Sequence, residues 1–138
     1  MALNKIYQYT EALVRERPVP ANTLAGTPLL INTRPAVTLT ARGDATKTTA
    51  VAGNYLTSVT YKVGGASNKA DSASVAYDGT FEFAVAGATT STADDVEVFI
   101  TSGGALTLTV GTNTHYGWTD YPVGYRKTAG RAAVRVGK

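Results

Sequence analysis

The feature that most constrains this chain is a series of short segments, from about residue 28 to the C-terminus, in which apolar and polar residues alternate. Val37, Leu39 and Ala41 alternate with Thr38 and Thr40, and Phe81, Phe83 and Val85 alternate with Glu82 and Ala84. Val96, Val98 and Ile100 follow, then Leu106, Leu108 and Val110, and last Val134 and Val136 around Arg135. A two-residue period turns one side of each segment toward a core and the other toward water, as in half-buried antiparallel strands. Strands recurring about every ten residues with glycine turns between them predict an all-β small antiparallel barrel or sandwich. The body contains no helix-length amphipathic stretch.

The punctuation between the runs is regular. Asp78-Gly79, between Val75–Tyr77 and Phe81–Phe83, suits the positive φ angles of a two-residue hairpin turn. Gly103-Gly104 predicts a second hairpin, joining Val96–Ile100 to Leu106–Val110. Leu56–Val63 alternates and stops at Gly64-Gly65, whereas residues 45–54 and 66–71 read as loops.

The first residues fit no such run. Ile6-Tyr7-Gln8-Tyr9 and Ala12-Leu13-Val14-Arg15 suit short strands, and a helix over residues 8–16 is locally possible. Pro18 and Pro20 fix φ and remove two backbone donors, so Arg17-Pro18-Val19-Pro20 should be extended and cannot lie inside a sheet. The expected organisation is an extended N-terminal arm over residues 1–24 and a barrel or sandwich domain over 25–138.

Composition narrows the function. Large apolar side chains (Val, Leu, Ile, Phe, Trp and Met) number 31 of 138 residues, so the core is built largely of Ala, Val and Thr and gains less per residue by burial. Self-association would add to that stability. There is no cysteine, which removes disulfides, thiolate nucleophiles and thiolate metal sites. The opening Met1-Ala2-Leu3-Asn4-Lys5 lacks the apolar stretch of a signal peptide, and no run nears the ~20 apolar residues that span a bilayer. The expectation is a soluble protein made in the cytoplasm, with no membrane partner. Charge is unevenly placed: residues 1–35 carry +2, residues 36–125 carry −4 and residues 126–138 carry +5. Either the ends and the body meet different surroundings or the charges are scattered solvated groups.

Catalytic chemistry finds little material. His115 is the sole histidine, which rules out a site with two His ligands, and no serine sits in a nucleophile-elbow context. Asp94 and Asp95 with Glu97 read as the solvated start of a strand, since neighbours on a strand face opposite ways. Arg42-Gly43-Asp44 matches an adhesion tripeptide but also suits a turn. Tyr116, Trp118, Tyr121 and Tyr125 with Arg126 and Lys127 form an aromatic, then basic, stretch. It suits core packing for Tyr116 and Trp118, a protein interface, or stacking on sugars or single-stranded nucleic acid.

Several segments carry a resemblance. They are Ala25-Gly26-Thr27-Pro28-Leu29-Leu30-Ile31 with Ala36-Val37-Thr38-Leu39-Thr40, Asp78-Gly79-Thr80-Phe81-Glu82-Phe83, Asp94-Asp95-Val96-Glu97-Val98-Phe99, Leu106-Thr107-Leu108-Thr109, His115-Tyr116-Gly117-Trp118 and Ala132-Ala133-Val134-Arg135-Val136. Together they resemble the small decoration (cement) proteins of tailed double-stranded-DNA bacteriophage capsids. Phe83 stands where that family's Gly-x-Phe-x-Leu step has leucine, and Ala93-Asp94 where Gly-Asp is usual. The resemblance covers residues 25–138 and includes no catalytic signature. It implies a structural, non-enzymatic virion protein on the outer capsid surface, commonly a homotrimer, stabilising contacts between major capsid protein subunits. No cofactor, metal or direct nucleic-acid contact is expected.

An arm of twenty residues loses about 1–2 kcal/mol of backbone entropy per residue on ordering, so a partner should supply its contacts. Tyr7, Tyr9, Leu13 and Val14 offer apolar anchors for the capsid, and Arg15 and Arg17 offer charge-assisted hydrogen bonds. Trp118, Tyr121, Tyr125 and Arg126 are the candidate oligomer or surface contacts. The alternative is a virion-displayed carbohydrate or host-surface binding module using Tyr116, Trp118 and Tyr121.

Overall fold

In the computed structural model the chain is described over residues 5–7, 14–50, 58–64 and 68–137. All regular structure among these residues is β. The strands are β1 (Lys5–Tyr7), β2 (Val14–Pro18), β3 (Pro28–Ile31), β4 (Arg34–Thr38), β5 (Thr46–Ala50) and β6 (Ser58–Lys62), then β7 (Ser72–Ala76), β8 (Thr80–Ala86), β9 (Glu97–Ile100), β10 (Leu106–Thr107), β11 (Thr114–Thr119) and β12 (Arg131–Val136).

Strands β8, β10, β9, β11 and β12 form a closed barrel, completed where β12 returns to pair with β8. Every barrel contact is antiparallel except the short parallel step between β10 and β8. The alternation read from the sequence sets the interior. Phe81, Phe83 and Val85 of β8 and Val134 and Val136 of β12 are buried together with Val98, Ile100 and Leu106. A second, curled sheet runs β2-β7-β4-β3 and packs its inner face on the barrel, adding Val37 and Ala76 to the same core. Its outer face carries a smaller cluster of Val19, Ala36, Ala73, Val75 and Tyr77. Strands β4 and β7 are thus buried on both sides: the alternation from Val37 to Ala41 implied a solvated face, whereas Thr38 is fully buried and β4 ends there.

Buried threonines tie loops to this frame. Thr38 donates to the Leu24 carbonyl at 2.7 Å and accepts from the Thr27 amide at 2.9 Å. Thr119 donates to the Ala93 carbonyl and accepts from the Val96 amide, both at 2.8 Å. A valine of the same shape would take these hydrogen bonds from the Thr27 and Val96 amides, so the hydroxyls do more than fill space.

Four local expectations are corrected. Asp78-Gly79 is not a hairpin turn: β7 and β8 belong to different sheets, and the turn carries the chain across the corner between them. Gly79 still needs its positive φ of 116°, and the Asp78 carboxylate accepts from its amide at 2.8 Å. Gly103-Gly104 does lie between antiparallel partners, but Ile100 pairs with Leu106 across a five-residue loop closed by Thr101 and Ala105, and β10 ends at Thr107. The expected loop at 45–54 contains β5, which pairs with β6 over Thr46–Ala50. Its threonines favour a pleated strand, and Thr48 and Thr60 share a 2.7 Å hydroxyl contact across the pair.

The fourth correction concerns the arm. Val14–Pro18 is extended, as expected, yet it pairs residue by residue with Ala76–Ser72 of its own β7. Pro18 is tolerated because β2 is the edge strand and the proline ends it. Val19 and Thr23 are buried, and the Thr23 carbonyl accepts from the Arg42 amide at 2.9 Å. Residues 14–24 therefore belong to the body, and no boundary falls at residue 25. Lys5–Tyr7 also pairs with its own chain, along Thr80 and Phe81 of β8.

Candidate functional site

The outer wall of the barrel at β11 carries an exposed aromatic, Trp118. The cause is a β-bulge. His115 pairs with Phe99 and Gly117 with Val98, so Tyr116 is an extra residue on β11 with no opposite number on β9. A bulge re-aims the side chains that follow it. Tyr116 points into the core with 0% exposure, while Trp118, which a regular strand would place on the same side, is 40% exposed. Gly117 permits this path: a Cβ there would sit 2.1 Å from the Arg135 carbonyl oxygen of β12.

Across the outer face, Trp118 lies between Glu97 on β9 and Arg135 on β12. His115 packs its ring 5.4 Å from the indole and 6.3 Å from the Phe99 ring. Its Nδ1 is 2.7 Å from Glu97 Oε1 and its Nε2 is 3.1 Å from the Gly137 carbonyl. These contacts hold the histidine ring against the indole.

Beside Trp118 opens a cleft of ≈ 800 Å³ between the barrel wall and the corner turns of the second sheet. The Arg34 guanidinium lies 4.1 Å over the Tyr77 ring on one side. Asp78 pairs with Arg135 at 3.4 Å, and Asp120 accepts the Thr80 hydroxyl at 2.6 Å. Asp95 completes the rim, with a φ of 59° that a non-glycine residue rarely adopts.

No protein-family model, curated protein or solved structure matches this chain. The residues alone must carry the reading.

The four expected contact residues divide into two places. Trp118 faces the cleft, whereas Tyr121 and Tyr125 pack on each other at 5.3 Å in the loop leading to β12. Tyr125 donates to Glu82 at 2.6 Å, Arg131 donates to the same carboxylate at 3.1 Å, and Lys127 lies 4.4 Å over the Tyr121 ring. Burial raises the Tyr125 hydroxyl well above its ordinary range, with the Glu82 hydrogen bond adding to it. That same hydrogen bond is the main reason Glu82 is held below the ordinary carboxylate range. Arg126 is exposed beside this loop. Part of the positive charge after residue 125 is paired at the surface, Arg131 with Glu82 and Arg135 with Asp78.

Of the expected capsid anchors, Val14 is half-buried against the core, Arg15 is exposed and Arg17 is half-buried on β2. Tyr7 ends β1, while its side chain and the residues Tyr9 and Leu13 lie outside the described residues. Tyr116, offered as a sugar platform, is instead a core residue. In Arg42-Gly43-Asp44 the two charged side chains pair with each other at 3.2 Å, which does not present them as a recognition tripeptide. Sequence reasoning missed Arg34 and Tyr77 and took Asp95 only as the solvated start of a strand. The three meet at turns far apart in the chain, which alternation does not reveal.

Proposed function

We propose that this chain is a structural decoration protein that binds the outer surface of an assembled tailed-phage capsid and braces neighbouring major capsid protein subunits. The observation that carries the reading is the position of the segments that resemble that family. All but the N-terminal pair of them fall on the barrel or its leading turn, at Asp78–Phe83, Asp94–Phe99, Leu106–Thr109, His115–Trp118 and Ala132–Val136. The N-terminal pair supplies β3 and β4 of the second sheet.

Attachment through the N-terminal residues keeps its physical basis in an altered form. Among the described residues strand β2 is a sheet edge, with Arg15 and Glu16 exposed. An open edge accepts an added strand through main-chain hydrogen bonds, with side chains supplying selectivity. Three copies joined as a homotrimer would multiply weak contacts through effective concentration. The protein would then reside on the virion.

Co-sedimentation of the purified protein with expanded empty heads tests this. Saturable binding at a fixed copy number per capsid subunit is the expected result. Deleting residues 2–13, which leaves β2 in place, should weaken attachment while the body stays folded. Absence of co-sedimentation with intact heads overturns the proposal.

A further inference from the structure

The Trp118 cleft holds polar groups that the fold does not use. Asp78 is spent on Arg135, Asp120 on Thr80, and Arg34 on the Tyr77 ring. Among the described residues the Asp95 carboxylate and the Trp118 indole N–H have no hydrogen-bond partner, and both line the cleft. A flat apolar ring, a free acceptor and a free donor therefore share one concave space. Ligand sites are typically clefts of about 300–1,000 Å³ with a few placed polar groups, and this one measures ≈ 800 Å³.

We infer that this cleft binds a saccharide, an uncharged pyranose unit of a surface glycan, with Trp118 as the stacking platform and Asp95 as a hydroxyl acceptor. The C–H face of a pyranose matches an indole in size and polarity. Its vicinal hydroxyls match a carboxylate, which accepts charge-assisted hydrogen bonds. The charges of the lining decide against the other stacking ligands. Asp78, Asp95 and Asp120 outnumber Arg34 and Arg135, so a phosphate polymer, which draws its affinity from cations, meets a net negative wall. A cationic side chain meets two guanidiniums. A neutral ligand carrying both donors and acceptors meets no such opposition. The bulge that turns Trp118 outward beside a cleft fits the use of bulges to aim functional side chains.

The test is direct because Trp118 is the sole tryptophan, so intrinsic emission reports on this site alone. The full chain is titrated with millimolar maltotriose, cellotriose and tri-N-acetylchitotriose, and is also applied to a glycan array. A saturable change of Trp118 emission with at least one trisaccharide, and array binding lost in Trp118→Ala, are expected. Asp95→Gly removes the acceptor at a position whose positive φ glycine adopts freely. It should raise the apparent Kd about tenfold, the worth of one charge-assisted hydrogen bond. Circular dichroism checks that both variants are folded.

Silence from all three trisaccharides and a blank array overturn the inference. So does a response to an oligothymidylate or an oligolysine peptide in place of the sugars, or unchanged affinity in folded Asp95→Gly. Head attachment is read separately by co-sedimentation, where Asp95→Gly should bind as the parent does, so failure of one proposal leaves the other standing.

Discussion

The Tyr116 hydroxyl donates a 2.7 Å hydrogen bond to the Ala36 carbonyl, 80 residues away in the chain, and so ties barrel strand β11 to strand β4 of the second sheet. Both partners are fully buried. The Tyr116 ring also meets Phe83 edge-on at 6.0 Å, in the middle of the core. Tyr116→Phe keeps the ring and removes the hydroxyl bond to the Ala36 carbonyl, which also lies opposite Leu29 in the β3–β4 ladder. The expected cost is about 1 kcal/mol, the net worth of one buried hydrogen bond. Urea midpoints of parent and variant measure it, and equal midpoints would show that the sheets dock by apolar packing alone.

Alkaline pH should attack the same region. Burial raises the Tyr116 hydroxyl well above its ordinary value near 10.0, and burial also raises Tyr121 and Tyr125. A raised acid is held neutral by the fold while the unfolded chain releases its proton. The stabilisation these groups contribute is complete below the unfolded value and is lost as pH climbs past it. Stability should hold to about pH 9 and then fall progressively. Phenolate absorbance should show Tyr116 titrating only with unfolding. Accordingly, Tyr116→Phe should leave the pre-transition absorbance amplitude unchanged; a smaller amplitude would mean that Tyr116 ionises in the folded state.

Gly117 is the point on which both the core and the cleft depend. A Cβ there would meet backbone rather than a flexible side chain, with the Arg135 carbonyl oxygen 2.1 Å away. Gly117→Ala must push β12 from β11 or straighten the bulge. Straightening places Trp118 on the same side of the strand as Tyr116, turned toward the interior. The expected loss is at least about 3 kcal/mol, in the range of core strain and broken ladder bonds. Thermal unfolding reads the loss, and a red-to-blue shift of Trp118 emission distinguishes a straightened strand from a displaced one.

The sequence carried the barrel well and the corners poorly. Phe81-Glu82-Phe83-Ala84-Val85 announces a half-buried strand because one face of β8 meets the core and the other meets solvent. Val37-Thr38-Leu39 alternates too, but there the period misleads about the second face, because both faces of β4 and β7 are covered and Thr38 is buried. Asp78-Gly79 has the local chemistry of a hairpin turn, and local chemistry sets the turn without setting its partner. Whether the next strand folds back or crosses to another sheet depends on β12 returning from fifty residues downstream to pair with β8. Val14-Arg15-Glu16-Arg17 lacks an apolar period because an edge strand needs little burial to pair, and its home on β7 was hidden for that reason. Trp118 was legible as an exposed aromatic candidate, while Asp95 and Arg34 were not, since no spacing along the chain joins them.

The Glu82 carboxylate gives the acid side its own signature. The Tyr125 hydroxyl bond at 2.6 Å is the largest cause of its lowered value, outweighing burial, with the Arg131 contact adding to the effect. A depressed carboxylate contributes stability that is present above the unfolded value near 4.5 and is lost as pH falls through the folded one. Tyr125→Phe keeps the ring packed on Tyr121 and removes that bond, so the native carboxyl should protonate closer to its ordinary range. The variant should therefore be less stable than the parent near neutral pH. The gap should narrow as pH falls below about 4, where protonation removes the parent's advantage. Urea midpoints at about pH 7 and about pH 3 decide the matter. A gap of equal size at both values would assign the cost of Tyr125→Phe to packing and leave the Glu82 carboxylate without a part in it.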